Sequence, residues 1–350
     1  MTKNELLENI KNDNTIENCE ISGLDLSLLD LSGVRFKNIN FIDIDFSSSK
    51  IVKTGFKQCS FKNSLFDKVD FEELFWQKIN LHSCSFKGAN LSKCTFQHVD
   101  FSGSDFTDAN LSKATFYKSA LNDAKFQNTD TTKATFAMSD MKHSLFLNNN
   151  LLSTTFFKIT MDETKFIKTN LRKCVLMDCN LIEQDFSGMK LNMVQFNNSD
   201  LSGTNFNDAN ISQSNFIGCD LTACKFHNIV AKNTIFTQAT LKSNNFKNAK
   251  LYQSNFEEAK IEGCDFNDAD IEQTYFASAN IKNTTLENAN ARYANFNYSM
   301  FDNVYVMGAN LSHAAIHRAE FKDTDLDKAN CFEIKKTDSD LQEAEEFKYD

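Results

Sequence analysis

Proline is absent from all 350 residues, glycine occurs ten times and tryptophan once. Without proline, every backbone nitrogen after the first keeps its donor, and nothing in the composition interrupts a hydrogen-bonded ladder. Long apolar runs are missing too. The N-terminus MTKNELLENIKND has no apolar segment of the kind a secretory leader carries, and no stretch approaches the ~20 apolar residues of a membrane helix. The expectation is a protein with no membrane span, in the cytoplasm or another reducing compartment, with secretion lacking a cleavable signal left open. A glycine-rich phosphate loop and a nucleophile elbow are also missing. None of the six histidines lies 20 residues from another, and no Cys or carboxylate at metal-ligand spacing is read beside them. No enzyme, metal or cofactor is expected.

The net charge of −10 is unevenly spread. Residues 251–350 carry 20 acidic and 9 basic groups, whereas residues 51–250 carry 18 acidic and 23 basic ones. A net negative chain repels phosphate, which disfavours direct nucleic-acid binding.

What is present is a period of five. In Phe86 to Leu111 the large apolar residues are Phe86, Leu91, Phe96, Phe101, Phe106 and Leu111, and a mostly small residue stands two places before each. Counting outward, this register runs from Ile16 to Cys331 without insertion or deletion, which makes 64 repeats. Thirty of the 34 phenylalanines fall on the central position, and no Asp, Glu, Lys or Arg occupies it or the small position. A period of five fits neither a helix nor a flat strand and calls for a solenoid. From Phe86 to Phe276 phenylalanine largely alternates with Leu, Ile or Met, so a four-sided coil places Phe on two opposite sides. Columns at spacing 20 agree: Phe96, Phe116, Phe136 and Phe156 form one, and Leu151, Leu171, Leu191 and Ile211 another.

These residues resemble the pentapeptide-repeat family, whose A(D/N)LXX motif stands here as Ala89-Asn90-Leu91, Ala109-Asn110-Leu111, Ala209-Asn210-Ile211 and Ala309-Asn310-Leu311. The resemblance covers about nine-tenths of the chain. It implies an all-β fold, a right-handed quadrilateral parallel β-helix of about 16 coils, roughly 77 Å long at ~4.8 Å per coil. Nine of the ten glycines fall two places after the central position, where a corner turn can use positive φ. Nine of the ten cysteines occupy the small interior position, and none has another 20 residues away, so they read as reduced thiols used as small apolar groups.

Three segments follow. Residues 1–13 read as an N-terminal helical cap with a capping box at Thr2 to Glu5, and residues 14–334 as the β-helix. Residues 335–350 read as a C-terminal helical cap or dimerisation element, with a second capping box at Ser339 to Gln342 and with Leu341, Ala344 and Phe347 free to dock on the last coil or on another copy. Larger residues at the small position early on, such as Leu24, Leu29 and Ile39, are expected to distort the first coils.

Function must then reside on the surface. An apolar zone at Leu147, Phe157, Ile167, Val175 and Met177 departs from an otherwise solvated wall and marks a partner site. Leu147 and Ile167 are expected to stack on one side, Phe157 and Met177 on the opposite one. The leading reading is a non-catalytic protein-binding scaffold. A second, implied by the resemblance, is a DNA mimic that binds a type II topoisomerase, DNA gyrase or topoisomerase IV, through an acidic face at Asp265, Asp268 and Asp270. A secreted effector or secretion-system accessory role is a third, and a homodimer through the C-terminal segment is compatible with each.

Overall fold

Each residue along the ladders pairs in parallel with the one 20 places on: Thr15 with Arg35, Phe126 with Phe146, Ile261 with Ile281. Four five-residue sides therefore close one coil, as the columns require. The structure, a computed structural model, describes residues 1–347, and the chain divides into two units, Met1–Val175 and Leu176–Asp350. Both are parallel β-solenoids.

The first unit opens with α1, Lys3–Asp13. Its start is the expected capping box: the Thr2 N–H donates to Glu5 Oε2 at 2.7 Å, and the Glu5 N–H to Thr2 Oγ1 at 3.3 Å. Leu6 is fully buried, and the first coil beneath it buries Ile16, Ile21, Leu26 and Leu31. In these early coils Leu24 and Leu29 stay half-exposed, and the strands Thr15–Ser22 and Arg35–Ile42 run on through a corner. Ile39, at the same position in the next coil, is buried. Beyond them the strands shorten to three residues, stacking Phe75–Gln77, Thr95–Gln97, Thr115–Tyr117, Thr135–Ala137 and Thr155–Phe157 on one side and Lys125–Gln127, Leu145–Leu147 and Lys165–Ile167 on another. The second unit stacks Thr240–Lys242, Lys260–Glu262, Asn280–Lys282, Met300–Asp302 and Glu320–Lys322.

Corners follow one rule. From Asn18 to Glu333 the residue two places after each central position has φ between 48° and 76°, with Lys328 as the exception. The positive-φ expectation drawn from nine glycines thus holds at almost every corner, mostly with Asn, Asp, Lys, Ser or Glu in the left-handed region. Many corners are closed by a turn bond, such as Ala109 N–H to the Phe106 carbonyl at 3.0 Å. Positive φ at the third residue of such a turn is the signature of type II. The Asp or Asn just before the central residue completes it: Asp105 Oδ1 accepts the Thr107 N–H at 2.9 Å and Asp220 Oδ1 the Thr222 N–H at 2.9 Å. Such a side chain supplies an acceptor that the backbone lacks.

Phenylalanine columns fill opposite sides of the interior. Rings stack at 5.2 Å from Phe106 to Phe126 and at 4.6 Å from Phe126 to Phe146, close to the strand spacing. Phe116 and Phe136 stack at 4.9 Å on the facing side, and Phe126 meets Phe136 edge-on at 6.1 Å. The second unit repeats this with Phe226, Phe246 and Phe266, each step 4.6 Å.

The small interior position has a polar task as well. Its hydroxyls and thiols donate to the carbonyl of a central residue one coil earlier: Thr129 to Phe106 at 2.8 Å, Ser214 to Leu191 at 2.6 Å, Cys94 to Phe71 at 3.0 Å and Cys174 to Leu151 at 2.8 Å. Cysteine therefore stands in for serine or threonine as a weak donor while remaining apolar. Burial pushes the thiols of Cys84, Cys94, Cys174, Cys219 and Cys264 up to about 12.

The C-terminal end departs from expectation. Helix α2, Ser339–Glu346, is capped by Asp338, whose Oδ1 accepts the N–H groups of Asp340 and Leu341, and not by Ser339. A carboxylate one residue upstream reaches the same orphan donors with two bonds, so the proposed box at Ser339 to Gln342 does not form. Nor does α2 lie over the last coil through its apolar residues. Leu341, Ala344 and Phe347 are exposed, and Phe321, Leu326 and Cys331 are only half-buried. The helix is held from its polar side: Glu345 accepts from Tyr298 Oη and from Arg318 Nη1 at 3.1 Å, and lies 3.4 Å from His317 Nε2.

Two tests follow from the core. Phe126→Asp removes a ring from the stack, a loss of ~3–5 kcal/mol, and buries a charge besides. Urea denaturation should show the first unit destabilised by at least ~4 kcal/mol, and unchanged stability contradicts the register. For the thiols, the folded value lies above the ordinary one of 9.0, so their contribution is complete below pH 9 and is lost as pH rises toward about 12. Thermal unfolding should accordingly shift down across that window, and native alkylation read by mass should label only the half-exposed Cys19 and Cys331.

Candidate partner-binding surfaces

Side chains on either side of each central residue point outward, and those at spacing 20 stand beside one another. On one side of the first unit Leu147 is in register with Ile167 and with Gln127, and Leu145 stands between Lys125 and Lys165. Ile167 is 44% exposed. Phe157 belongs to the opposite side, in register with Ala137, and Lys158 Nζ lies 5.3 Å from its ring centroid. Val175 is half-buried at the end of this unit, and its N–H donates to the Thr154 carbonyl at 3.0 Å. Met177, also half-buried, belongs to the second unit. In the first unit Leu147 and Ile167 are brought into direct register on one side, and Phe157 stands on the opposite one.

The acidic residues sit differently from a row of phosphates. Asp265 is in register with Asn245 and Thr285, and Asp270 with Lys250 and Asn290. Asp265 Oδ1 accepts the Asn267 N–H at 2.9 Å, and Asp270 Oδ1 accepts the Glu272 N–H at 3.3 Å and Asn290 Nδ2 at 3.0 Å. Both carboxylates hold turns. Asp268, at a corner, faces Lys247 at 3.8 Å and Asn288 Nδ2 at 3.4 Å.

Two surface features escaped the sequence reading. His143 lies between Asp123 (3.4 Å from Nδ1) and Glu163 (4.0 Å from Nε2), all three at one corner, beside an open depression of about 600 Å³ that Leu145 and Lys165 also line. Its two ring nitrogens face opposite carboxylates, so the donors do not converge, and among the described residues no group of three His, Cys, Asp or Glu is placed to hold a metal. The spacing of 20 between His143 and each carboxylate was the available signal. The second feature is the set of lysines flanking the side that carries Phe157. Lys113 and Lys133 stand at one of its corners, Lys118 and Lys158 at the other, all exposed. Reading charge by segment hides such columns.

A pentapeptide repeat region is recognised at residues 79–156 and 209–286, and eight copies of the pentapeptide repeat at 269–305. The chain belongs to the pentapeptide-repeat family. Among solved structures it is similar to HetL, a pentapeptide-repeat protein involved in heterocyst differentiation regulation in the cyanobacterium Nostoc sp. strain PCC 7120, at 19% identity over 74% of this chain and 90% of that one, with a TM-score of 0.22. QnrB1, a plasmid-mediated fluoroquinolone resistance protein, is 20% identical over 60% of this chain and 92% of its own, with a TM-score of 0.27. No curated protein matches. Family membership accounts for the Ala-Asn-Leu motifs through the turn chemistry just described.

If Asp265 serves its turn, Asp265→Ala should lower the stability of the second unit by ~1 kcal/mol in urea, while Asp265→Asn, which keeps the acceptor, stays within a few tenths. Equal effects of the two substitutions contradict a structural role for this carboxylate.

Proposed function

We propose that the protein is a non-catalytic scaffold that binds another protein through the outward side-chain columns of its solenoid. The observation that carries this reading is the placement of Leu147 and Ile167 side by side, with Phe157 presented on the opposite side, in a wall otherwise built of polar side chains. Large residues at outward positions of a rigid sheet present apolar area at little entropic cost, which favours recognition. The uninterrupted coils offer flat sides in place of an enclosed cleft, the usual setting of catalysis. Cytoplasmic location is part of the proposal, supported by buried thiols that serve as hydrogen-bond donors.

The alternative, a DNA mimic acting on gyrase or topoisomerase IV, draws on the acidic balance of residues 251–350. Two of its three carboxylates are committed to turns, and their column neighbours are Asn, Thr or Lys, so the scaffold is the better supported reading. A homodimer through the C-terminal segment has its own support in the half-buried last coil and in Phe332 and Phe347, which are 62% and 68% exposed.

The double variant Phe157→Asp with Ile167→Asp should keep the native circular dichroism and melting temperature yet lose at least ~90% of partner capture when the purified protein is used as bait. Retained capture removes this surface from consideration. In a gyrase supercoiling assay with and without a quinolone the scaffold reading expects no effect, and dose-dependent inhibition or protection replaces it with the mimic.

A further inference from the structure

The side of the first unit that carries Phe157 differs from its surroundings in charge. Its five paired strands read FWQ, TFQ, TFY, TFA and TFF, from Phe75–Gln77 to Thr155–Phe157, with no ionisable carboxylate or ammonium among them. Thr95, Thr115, Thr135 and Thr155 form one outward column; Gln97, Tyr117, Ala137 and Phe157 form the other. Lysines stand along both edges of this uncharged strip. Lys113, Lys133 and Lys173 occupy the corner that leads into the strands, and Lys78, Lys118 and Lys158 the corner that leaves them.

These lysines lack counter-charges. Among the described residues no carboxylate lies within ion-pair distance of any of the six, and two of them, Lys118 and Lys158, instead place Nζ 5.3 Å from the ring centroids of Tyr117 and Phe157. Where a carboxylate stands one coil away, a lysine can answer it: Glu17 by Lys37 at 3.1 Å, Glu262 by Lys242 at 3.6 Å, Asp302 by Lys322 at 3.1 Å. Even in the same corner column Lys93 meets Glu73 at 3.0 Å. Lys113 and Lys133, one coil apart, face each other with the same sign. Like charges one coil apart at an exposed corner do not neutralise each other, so both remain open to an external counter-charge.

We infer that this side is a docking surface for an acidic segment of a partner protein, whose carboxylates are taken by the two lysine columns and whose apolar or aromatic side chains lie on the Thr, Tyr117 and Phe157 strip. The inference rests on the scaffold reading and deepens it by giving the partner's chemistry. A carboxylate placed between Lys113 and Lys133 answers both charges at once. The surface is flat, and three-residue strands make it roughly 10 Å wide, suited to one extended chain or one helix face. A nucleic-acid strand fits less well, because a polyanion longer than these few coils meets a molecule whose net charge is −10.

The test uses the full chain and a fluorescein-labelled oligoglutamate peptide containing tyrosine, followed by fluorescence anisotropy. Binding should be saturable, and Lys113→Glu with Lys133→Glu should weaken it at least tenfold while the melting temperature stays level, since the column keeps a like-charged pair. Lys242→Glu, in the second unit, should leave binding unchanged. Raising the salt from ~0.05 to ~0.5 M should weaken the wild-type complex. Equal affinity of wild type and the Lys113/Lys133 variant overturns the inference, as does tighter binding of an oligothymidylate of matched charge. A partner lost with Phe157→Asp and Ile167→Asp but indifferent to the lysine reversals leaves the scaffold in place and removes only the acidic partner.

Discussion

Each coil turns four corners, and almost every corner holds one residue at positive φ. For an L-residue other than glycine that conformation costs ~1 kcal/mol or more, a cost repeated all along both units. It persists because each corner is tied on several sides. The backbone N–H at the corner donates to the next coil, as Asp108 does to Gln127 at 2.8 Å, the turn bond closes many corners from within, and an Asp or Asn acceptor braces them from outside. The consequence is a register that tolerates no slip. One inserted residue would move a phenylalanine from the stacked interior to the wall and a corner residue into the ladder.

That constraint explains why the interior is read so easily and the exterior so poorly. Central positions must fill a closed square, so Phe106, Phe126 and Phe146 repeat the same side chain, and the pattern announces itself. The small position must also answer a carbonyl, so Ser, Thr and Cys recur there, with chemistry beyond size. Cys94 and Ser104 illustrate this: reading the thiol as a small apolar filler captures its burial but misses that its Sγ and the serine hydroxyl donate to equivalent carbonyls, those of Phe71 and Leu81. Outward positions face water and have no such obligations. Their meaning lies in columns at spacing 20, which the sequence displays for the apolar residues but which are hidden for the charges when these are summed by segment.

The helix α2 shows a second reason for incomplete legibility. Its amphipathic pattern invites apolar docking, yet its anchor is Glu345 on Tyr298, His317 and Arg318, a contact across 47 residues between side chains of unremarkable sequence context. The His317 ring joins both ends of this cluster, since its Nδ1 accepts the Asp338 N–H at 3.1 Å while Nε2 faces Glu345. Polar side chains are satisfied by geometry that no period encodes. The exposed Leu341 goes with that anchoring, in which both Glu345 and Glu346 pair with Arg318, at 3.1 and 3.2 Å.

Surface function on such a frame is written one column at a time. A coil rise near 4.8 Å sets neighbouring side chains close enough for one to answer the next, so complementary neighbours such as Glu17 and Lys37 neutralise each other and leave nothing for a partner. Where a column repeats one sign, as from Lys113 to Lys133, the chain forgoes that internal pairing. The same logic separates the carboxylates from the lysines. Asp265 and Asp270 spend their acceptor capacity on turns and asparagine neighbours, whereas Lys118 and Lys158 lie 5.3 Å from the rings of Tyr117 and Phe157, with no carboxylate at ion-pair distance among the described residues. Of the two charged surfaces, the basic one in the first unit therefore keeps more of its charge unanswered by its own column, although the chain as a whole is acidic.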